Sequence, residues 1–392
     1  MKDECFWDDK NYKPGAPLHG EESTDFLIVG AGVAGLFAAY FLLKHGVKNV
    51  VVVERNEIGS GSTGHSAGML VSDLETGPWS QVYGVHGRAN ASLYYRAQKD
   101  ALDEVALIIE EAKIECDFSW RDFLIVAGEA EGEKRIITEF GAHQKLGSTF
   151  GTLLEGEDLK DELNSPLFTM GERVDKGISV NPMQFIRGVG AYLRARGVRI
   201  YEGTNLLNVS GEVAHTTHGD VTFKKIIFAQ GTAEKHANLR NFATTLGITI
   251  PLPEAKLEEL RLMDRDMFID TEKPSYHYAK VTGDNRLMVG YGDDVVDVQS
   301  GSTKLFEPHI IQIENFLNRF AGPEATLEYG WTGVFSLSRQ VLPHIDIKEG
   351  KAIMAGMGTQ TACIAAADHT VAMMVKGEHH LEPLFNQKLQ SQ

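Results

Sequence analysis

Residues 25–36 read DFLIVGAGVAGL, and a second apolar run, VVVVE, ends at Glu54. Residues 25–29 are a short apolar run of the kind buried on both faces of a sheet. Gly30, Gly32 and Gly35 then give G-x-G-x-x-G. In that pattern the first glycine makes the tight turn and the second lets the backbone approach a pyrophosphate. The third lets the helix pack closely on the strand. Residues 34–45, AGLFAAYFLLKH, supply the helix, Gly46 ends it, and 50–53 form the next strand. The helix N-terminus directs backbone N–H groups, those of Val33 and Ala34, at the phosphates. Glu54 follows Gly35 at about the 20-residue spacing of an acid that binds a ribose hydroxyl. Alone the glycine pattern is weak; inside strand, turn, helix and strand, with its acid, it predicts a dinucleotide site. The acid favours a free 2′-OH, hence FAD or NAD rather than NADP.

The rest of the chain sets bounds on what surrounds this unit. It has 392 residues, 43% of them hydrophobic, enough for two cores. A formal net charge of −16 makes nucleic acid or an anionic membrane surface a poor partner. No run approaches the ~18 apolar residues of a membrane span. The opening MKDECFWDDKNY has no apolar stretch and does not read as a signal peptide. Cys5, Cys116 and Cys363 lie far apart, and an odd count suits a reducing, cytoplasmic compartment. No C-x-x-C pair is present for dithiol redox work, and no His/Cys spacing predicts a metal site.

Outward from the motif, residues 1–23 read as an extended arm with Phe6, Trp7 and Tyr12 as anchors. Residues 55–72 form a loop rich in Gly, Ser and Thr. Helices are expected at about 88–113, 131–146, 182–196 and 308–320, with an irregular stretch before 175. Asn181 caps the third of these and Pro182 fills its first position. Strands are expected at 123–128, 198–203, 276–281 and 286–292, with shorter ones over 206–223. KKIIFAQGT, 224–232, is an apolar strand running into Gly231, and a last strand and helix cover 351–358 and 362–377. Nucleotide-type elements therefore stand at the start, middle and end of the chain, which predicts two interleaved domains.

Several segments in order resemble the D-amino-acid-oxidase-like flavoprotein superfamily, of the glycine and sarcosine oxidase type. They are DFLIVGAGVAGL, VVVVERNEIGSGSTGHSAGML, GISVNPMQFIRGVGAYLRARGVRIYEGT, KKIIFAQGT, GWTGVFSLSRQVLPHI and AGMG. The aromatic arm, GHSAGM and LSRQVLP look most like γ-glutamylputrescine oxidoreductase-type enzymes. The resemblance implies an α/β fold, a Rossmann-like FAD-binding domain interleaved with an antiparallel-sheet (α+β) substrate domain. The FAD-binding domain is then 24–105, 178–235 and 327–392, the substrate domain 106–177 and 236–326. It implies an FAD-dependent oxidoreductase that oxidises the C–N bond of an amine or amino acid, a secondary amine or polyamine derivative included. A hydride passes to the flavin and the resulting imine is hydrolysed. The electron acceptor is oxygen or another carrier.

The same resemblance assigns the cofactor residues. Gly30, Gly32, Val33, Ala34 and Gly35 cradle the pyrophosphate, and Glu54 with Arg55 meets the ribose. Ser62, Thr63, His65, Ser66, Ala67, Gly68 and Met69 run under the flavin, and Leu206 meets the adenine. Gly231, Gly356, Gly358, Thr359, Gln360 and Thr361 complete the site. His65 reads as a covalent flavin anchor, a hydrogen-bond partner of the flavin, or a structural loop histidine. Arg339 reads as a bidentate fork for a substrate carboxylate or as one half of an ion pair. Tyr276, Tyr278, Tyr291 and Trp331 are the walls of an aromatic cage for an alkylamine, or simply core. Cys363 reads as a packing residue of the last helix. Three departures stand out: His65-Ser66-Ala67-Gly68 replaces Arg-Asn-Gly-Gly, the 356–361 turn is poorer in glycine, and Met288 holds the place of the lysine that sarcosine oxidases use with oxygen. Two other readings remain, an NAD-dependent dehydrogenase and a non-catalytic flavin-binding protein.

Overall fold

The apolar run after Asp25 is fully packed: Phe26, Leu27, Ile28 and Val29 are all buried. In the computed structural model, which describes residues 1–72, 78–146, 151–263, 266–271 and 276–385, that run sits at the centre of a sheet. The strand order is His344–Lys348, Lys351–Ala355, Gly219–Phe228, Gly20–Val29, Val50–Val53, Arg199–Tyr201. Gly20–Val29 runs parallel to both neighbours, and those two run parallel to the strands beyond them. This is the arrangement the buried, β-branched runs dictate, since parallel strands need cover on both faces. The Gly20–Val29 strand begins before the expected end of the arm because Gly20–Thr24 pair with Gly219–Phe223.

The Val33–Lys44 helix covers one face, and Val33 to Leu42 are all buried. A helix apolar all round is an interior helix. Its neighbours are the Pro182–Ala195 and Gln360–Lys376 helices. Asn181 caps the first of these, accepting the N–H groups of Met183 and Gln184, as its sequence predicts. The Trp79–Ala112 helix starts earlier than expected and breaks at Gly87, where φ is 75°. Glycines at 84 and 87 weaken the helical signal over its first turns, yet Trp79 and Val82 are buried there.

A second, mostly antiparallel sheet holds the rest. Its main order is Lys2–Asp3, Leu327–Ser338, Leu239–Thr249, Leu287–Val296, His277–Val281, Met267–Asp270, Ser119–Ala127, Met170–Ser179, Met69–Leu70. Met170–Ser179 is a ten-residue strand where the sequence reading had an irregular stretch. The Glu307–Phe320 helix packs Ile310, Ile313, Phe316 and Phe320 into the core on one face of this sheet. Among the described residues no helix is long and apolar enough to cross a membrane.

The arm is tied down by both sheets. Lys2–Asp3 add to the second sheet beside Tyr329 and Gly330. Farther on, the fully buried Glu202 carboxylate accepts the Tyr12 hydroxyl, the Gly15 and Ile58 N–H groups and the Arg194 guanidinium.

Candidate active site

The glycine turn has the shape its sequence demands. Gly30 has φ of +108°, and a Cβ there would lie 2.4 Å from the Ala229 carbonyl oxygen. A Cβ on Gly35 would lie 1.9 Å from the Gly30 oxygen, so helix and turn touch directly. Gly30, Gly32, Val33 and Ala34 line a cleft at the C-terminal ends of the parallel strands. Gly35 lies behind it as a packing residue. The Val33 N–H is not free: it donates to Thr63 Oγ1 at 3.1 Å.

Glu54 closes the far side of the cleft. Its carboxylate accepts the Ala31 N–H at 2.8 Å and the Asn56 N–H at 2.9 Å. Burial pushes its pKa up despite those bonds. Arg55, Leu206 and Gly231 also line this cleft, as do Ser62, Thr63 and Gly356.

The cleft continues into a second cavity. Val33, Ser62, Thr63, Phe335, Met357 and Cys363 line both. One wall of the second cavity is the 62–69 loop, through His65, Ser66, Ala67 and Met69. This loop is pinned at many points. Ser62 donates to the Val334 carbonyl, Ser66 to the Thr63 carbonyl, and the Trp7 and Trp331 indoles donate to the Ser66 and His65 carbonyls. Gly68 has φ of +67° and lies beneath the loop; a Cβ there would sit 2.2 Å from the Val180 oxygen. Gly358, Thr359 and Gln360 supply another wall, where Thr359 caps the last long helix. Thr361 is buried behind them, donating to the Val71 carbonyl.

Two buried acceptors lining this continuous space have no partner among the described residues: Ser336 Oγ in the first cleft and Gln360 Oε1 in the second. Buried polar atoms are rarely left orphaned. With a glycine cradle at one end and these atoms along the walls, the residues fit a flavin dinucleotide.

The far end of the second cavity is set by strand alternation. Tyr276 and Tyr278 share one face and line the cavity with Phe123, Thr244 and Asp293. The Tyr276 hydroxyl donates to the Asp293 carboxylate, and the Tyr278 hydroxyl bonds Thr244 Oγ1 at 3.1 Å. Burial, then the Asp293 charge, pushes Tyr276 far up, so it stays a donor. Gly290 makes room for the Tyr278 ring, which a Cβ would meet at 1.9 Å.

Three expected site residues lie elsewhere. Tyr291 is on the opposite face, against His277 and His309. Regular pairing explains it: Tyr291 stands across from His277, while Gly290 stands across from Tyr278. A β-bulge follows, with the register shifting between Tyr291 and Asp294 and Gly292 at φ +80°. Trp331 is buried beneath the loop, 6.1 Å from Trp7 ring to ring. Arg339 is exposed and lines a shallow surface depression with Lys235, His236 and Arg240. Its backbone bonds Asn238 just after the Leu327–Ser338 strand ends, which takes it out of the sheet face that builds the cavity.

Sequence reading missed Asp293, Ser336 and Lys280, and it gave Cys363 a purely packing role. Met288 is core, and its cross-strand partner is Lys280. Lys280 is 2% exposed and donates to the Val180 and Gly68 carbonyls at 2.6 and 3.2 Å. Burial lowers its pKa to about 7. It braces the cofactor loop from below. An odd lysine in an apolar strand, HYAKV, was the available signal.

Comparison with known proteins bears on this geometry. A family model described as FAD dependent oxidoreductase matches residues 25–372. γ-Glutamylputrescine oxidoreductase of Escherichia coli K12 is 23% identical over 94% of this chain and 87% of its own length. YhfW of Bacillus subtilis strain 168, named as a Rieske 2Fe-2S iron–sulfur protein, is 29% identical over 53% of this chain, and the match spans only 39% of that longer protein. The crystal structure of glycine oxidase from Bacillus cereus superposes with a TM-score of 0.75, covering 94% of this chain and all of that one, at 16% identity.

Proposed function

The chain belongs to the FAD dependent oxidoreductase family, and on that premise we propose that it oxidises the C–N bond of a cationic alkylamine lacking an α-carboxylate. One observation carries the reading. Among the described residues lining the second cavity, Asp293 is the one carboxylate, and neither lysine nor arginine is present. Among those described residues a substrate carboxylate finds no lysine or arginine, and Arg339 lies outside. A distal ammonium group finds Asp293 and two tyrosine rings, a setting that stabilises a cation by charge and by π-face contact.

The roles of the residues follow. Gly30, Gly32 and Ala34 hold the pyrophosphate, with Glu54 at the ribose. The 62–69 loop and Gly358–Gln360 flank the flavin. When bound, FAD supplies the hydride acceptor for an amine whose lone pair is free, and the imine formed is hydrolysed by water. Asp293 anchors the remote cation, and Tyr276 orients Asp293 through its hydroxyl. Tyr278 and Phe335 exclude water around the reacting carbon. No side chain need take a proton in the oxidation if the amine arrives neutral. The relative that acts on γ-glutamylputrescine, by its name, supports a polyamine-type substrate.

Anaerobic titration of the yellow protein tests this. Bleaching by diamines and N-alkyl polyamine derivatives, with none by glycine or sarcosine, is the expected result. Bleaching only by α-amino acids overturns the substrate class. Bound FAD that no amine or amino acid bleaches overturns the enzyme mechanism proposed here.

A further inference from the structure

The N-terminal arm folds back onto the loop that carries His65. The Asp8 N–H donates to the Cys5 carbonyl at 3.2 Å, a turn that places both residues beside the loop. Cys5 Sγ, a carboxylate oxygen of Asp8 and an imidazole nitrogen of His65 all lie within 4.8 Å of one another. The sequence hides this cluster, because nearly sixty positions separate Asp8 from His65.

Each of the three groups offers one ligand atom to the space between them. The His65 Nδ1–H donates to the Gly61 carbonyl at 3.0 Å, which leaves the lone pair on Nε2. A carbonyl behind the ring is a common way of fixing a metal-binding imidazole. Cys5 is buried, and its thiol reaches the Gly64 carbonyl at only 3.7 Å. Asp8 is exposed, so the cluster opens to solvent on that side. Thiolate, imidazole and carboxylate together select a borderline divalent cation, zinc foremost. Zinc ligands at about 2.0–2.3 Å require these atoms to close by roughly 1 Å, within reach of an arm joined to the loop by single side chains.

We infer that Cys5, Asp8 and His65 form a zinc site that fastens the N-terminal arm to the cofactor loop, with water as fourth ligand. On binding, the Cys5 S–H bond is exchanged for a sulfur–zinc bond and the proton leaves to solvent. The cation joins the Trp7–Ser66 hydrogen bond in holding the 62–69 loop against the cavity. A zinc-bound His65 is not available for a covalent bond to the flavin, so the site decides among the three readings of that histidine. The inference does not rest on the amine reading, because its test reads metal and not turnover.

The test uses the full chain purified with its flavin, treated with chelator, exchanged into metal-free buffer and titrated with zinc sulfate. The expected result is one zinc per chain by elemental analysis. Zinc-edge X-ray absorption then shows one sulfur neighbour at about 2.3 Å and the rest nitrogen or oxygen. C5S removes the sulfur neighbour and weakens zinc by at least about tenfold, a loss on the scale seen when a metal site is disturbed. D8N, at an exposed position, weakens zinc with an unchanged circular dichroism spectrum. The inference is overturned by a chain that retains no zinc at micromolar free metal, by zinc without a sulfur neighbour, or by C5S and D8N that bind zinc as tightly as the unaltered chain. Flavin that stays with the acid-precipitated polypeptide overturns it as well.

Discussion

At the scale of single residues, the two side chains that matter most to the site carry the two charges hardest to place. Asp293 sits among aromatic rings, held by the Tyr276 hydroxyl. Removing its charge removes a charge-assisted contact of about 1.5–3 kcal/mol. D293N is therefore expected to lower kcat/KM for a diamine by about ten- to a hundredfold, with flavin content unchanged in the absorbance spectrum. Lys280 is a cation under the loop, with its pKa lowered by burial from 10.5 to about 7. Between those values the unfolded chain holds a proton that the folded chain has released. Stability from this group therefore rises with pH across that window and is flat below it. K280M is expected to lose that rise. Urea denaturation of both proteins at pH 7, 8.5 and 10 checks it, and an identical slope in K280M would refute the assignment.

At the scale of elements, the bulge in Leu287–Val296 decides which residues meet the cavity. Gly292 sits at φ +80° there, and a Cβ would lie 2.3 Å from the His309 ring. G292A is expected to cost about 1–3 kcal/mol from strain and crowding. It should also swing Asp293 off the cavity, so diamine kcat/KM falls alongside the denaturation midpoint. This bulge also marks where the sequence stopped being legible. The βαβ unit, the capped Asn181 helix and the KKIIFAQGT strand could be read because period, caps and glycines all agreed locally. The residues expected from that unit line the cleft, Gly35 excepted, whereas those of the 62–69 loop and the 356–361 turn were named by the family resemblance. The aromatic cage did not follow. Tyr291 pairs across from His277, and that cross-strand register is not written in either strand alone. Strict alternation cannot show an inserted residue, and so Asp293 went unnoticed. Arg339 failed for a related reason, since the end of its strand is set by a partner about a hundred positions away. Met170–Ser179 was hidden because a run rich in charge, GERVDKG, carries no clean period.

At the scale of the molecule, Glu202 joins the arm, the parallel sheet and the Pro182–Ala195 helix through one carboxylate. Burial alone would raise its pKa, but Arg194 and the Ile58 and Gly15 N–H groups outweigh that and hold it below its ordinary value of 4.5. A depressed carboxylate contributes stability above its unfolded pKa and loses it as pH falls through the folded one. E202A is expected to lower stability by about 1–3 kcal/mol at pH 7, because it leaves the buried Ile58 N–H without its acceptor. The difference from wild type should shrink below about pH 4. Thermal denaturation across pH 3 to 7 checks both statements.

The central sheet takes neighbouring strands from residues 20–29, 219–228 and 351–355. A ribosome delivers these at widely separated times. Until the third strand emerges, the first two have one flank bare, and the turn at 356–359 that walls the cavity does not yet exist. Nascent chains therefore have no complete berth for a dinucleotide until the last helix leaves the exit tunnel. Long-range pairing of this kind is slow and leaves sticky edges waiting. Cells short of riboflavin, or truncations near residue 350, should accordingly yield aggregates captured by chaperones rather than a soluble, colourless apoprotein.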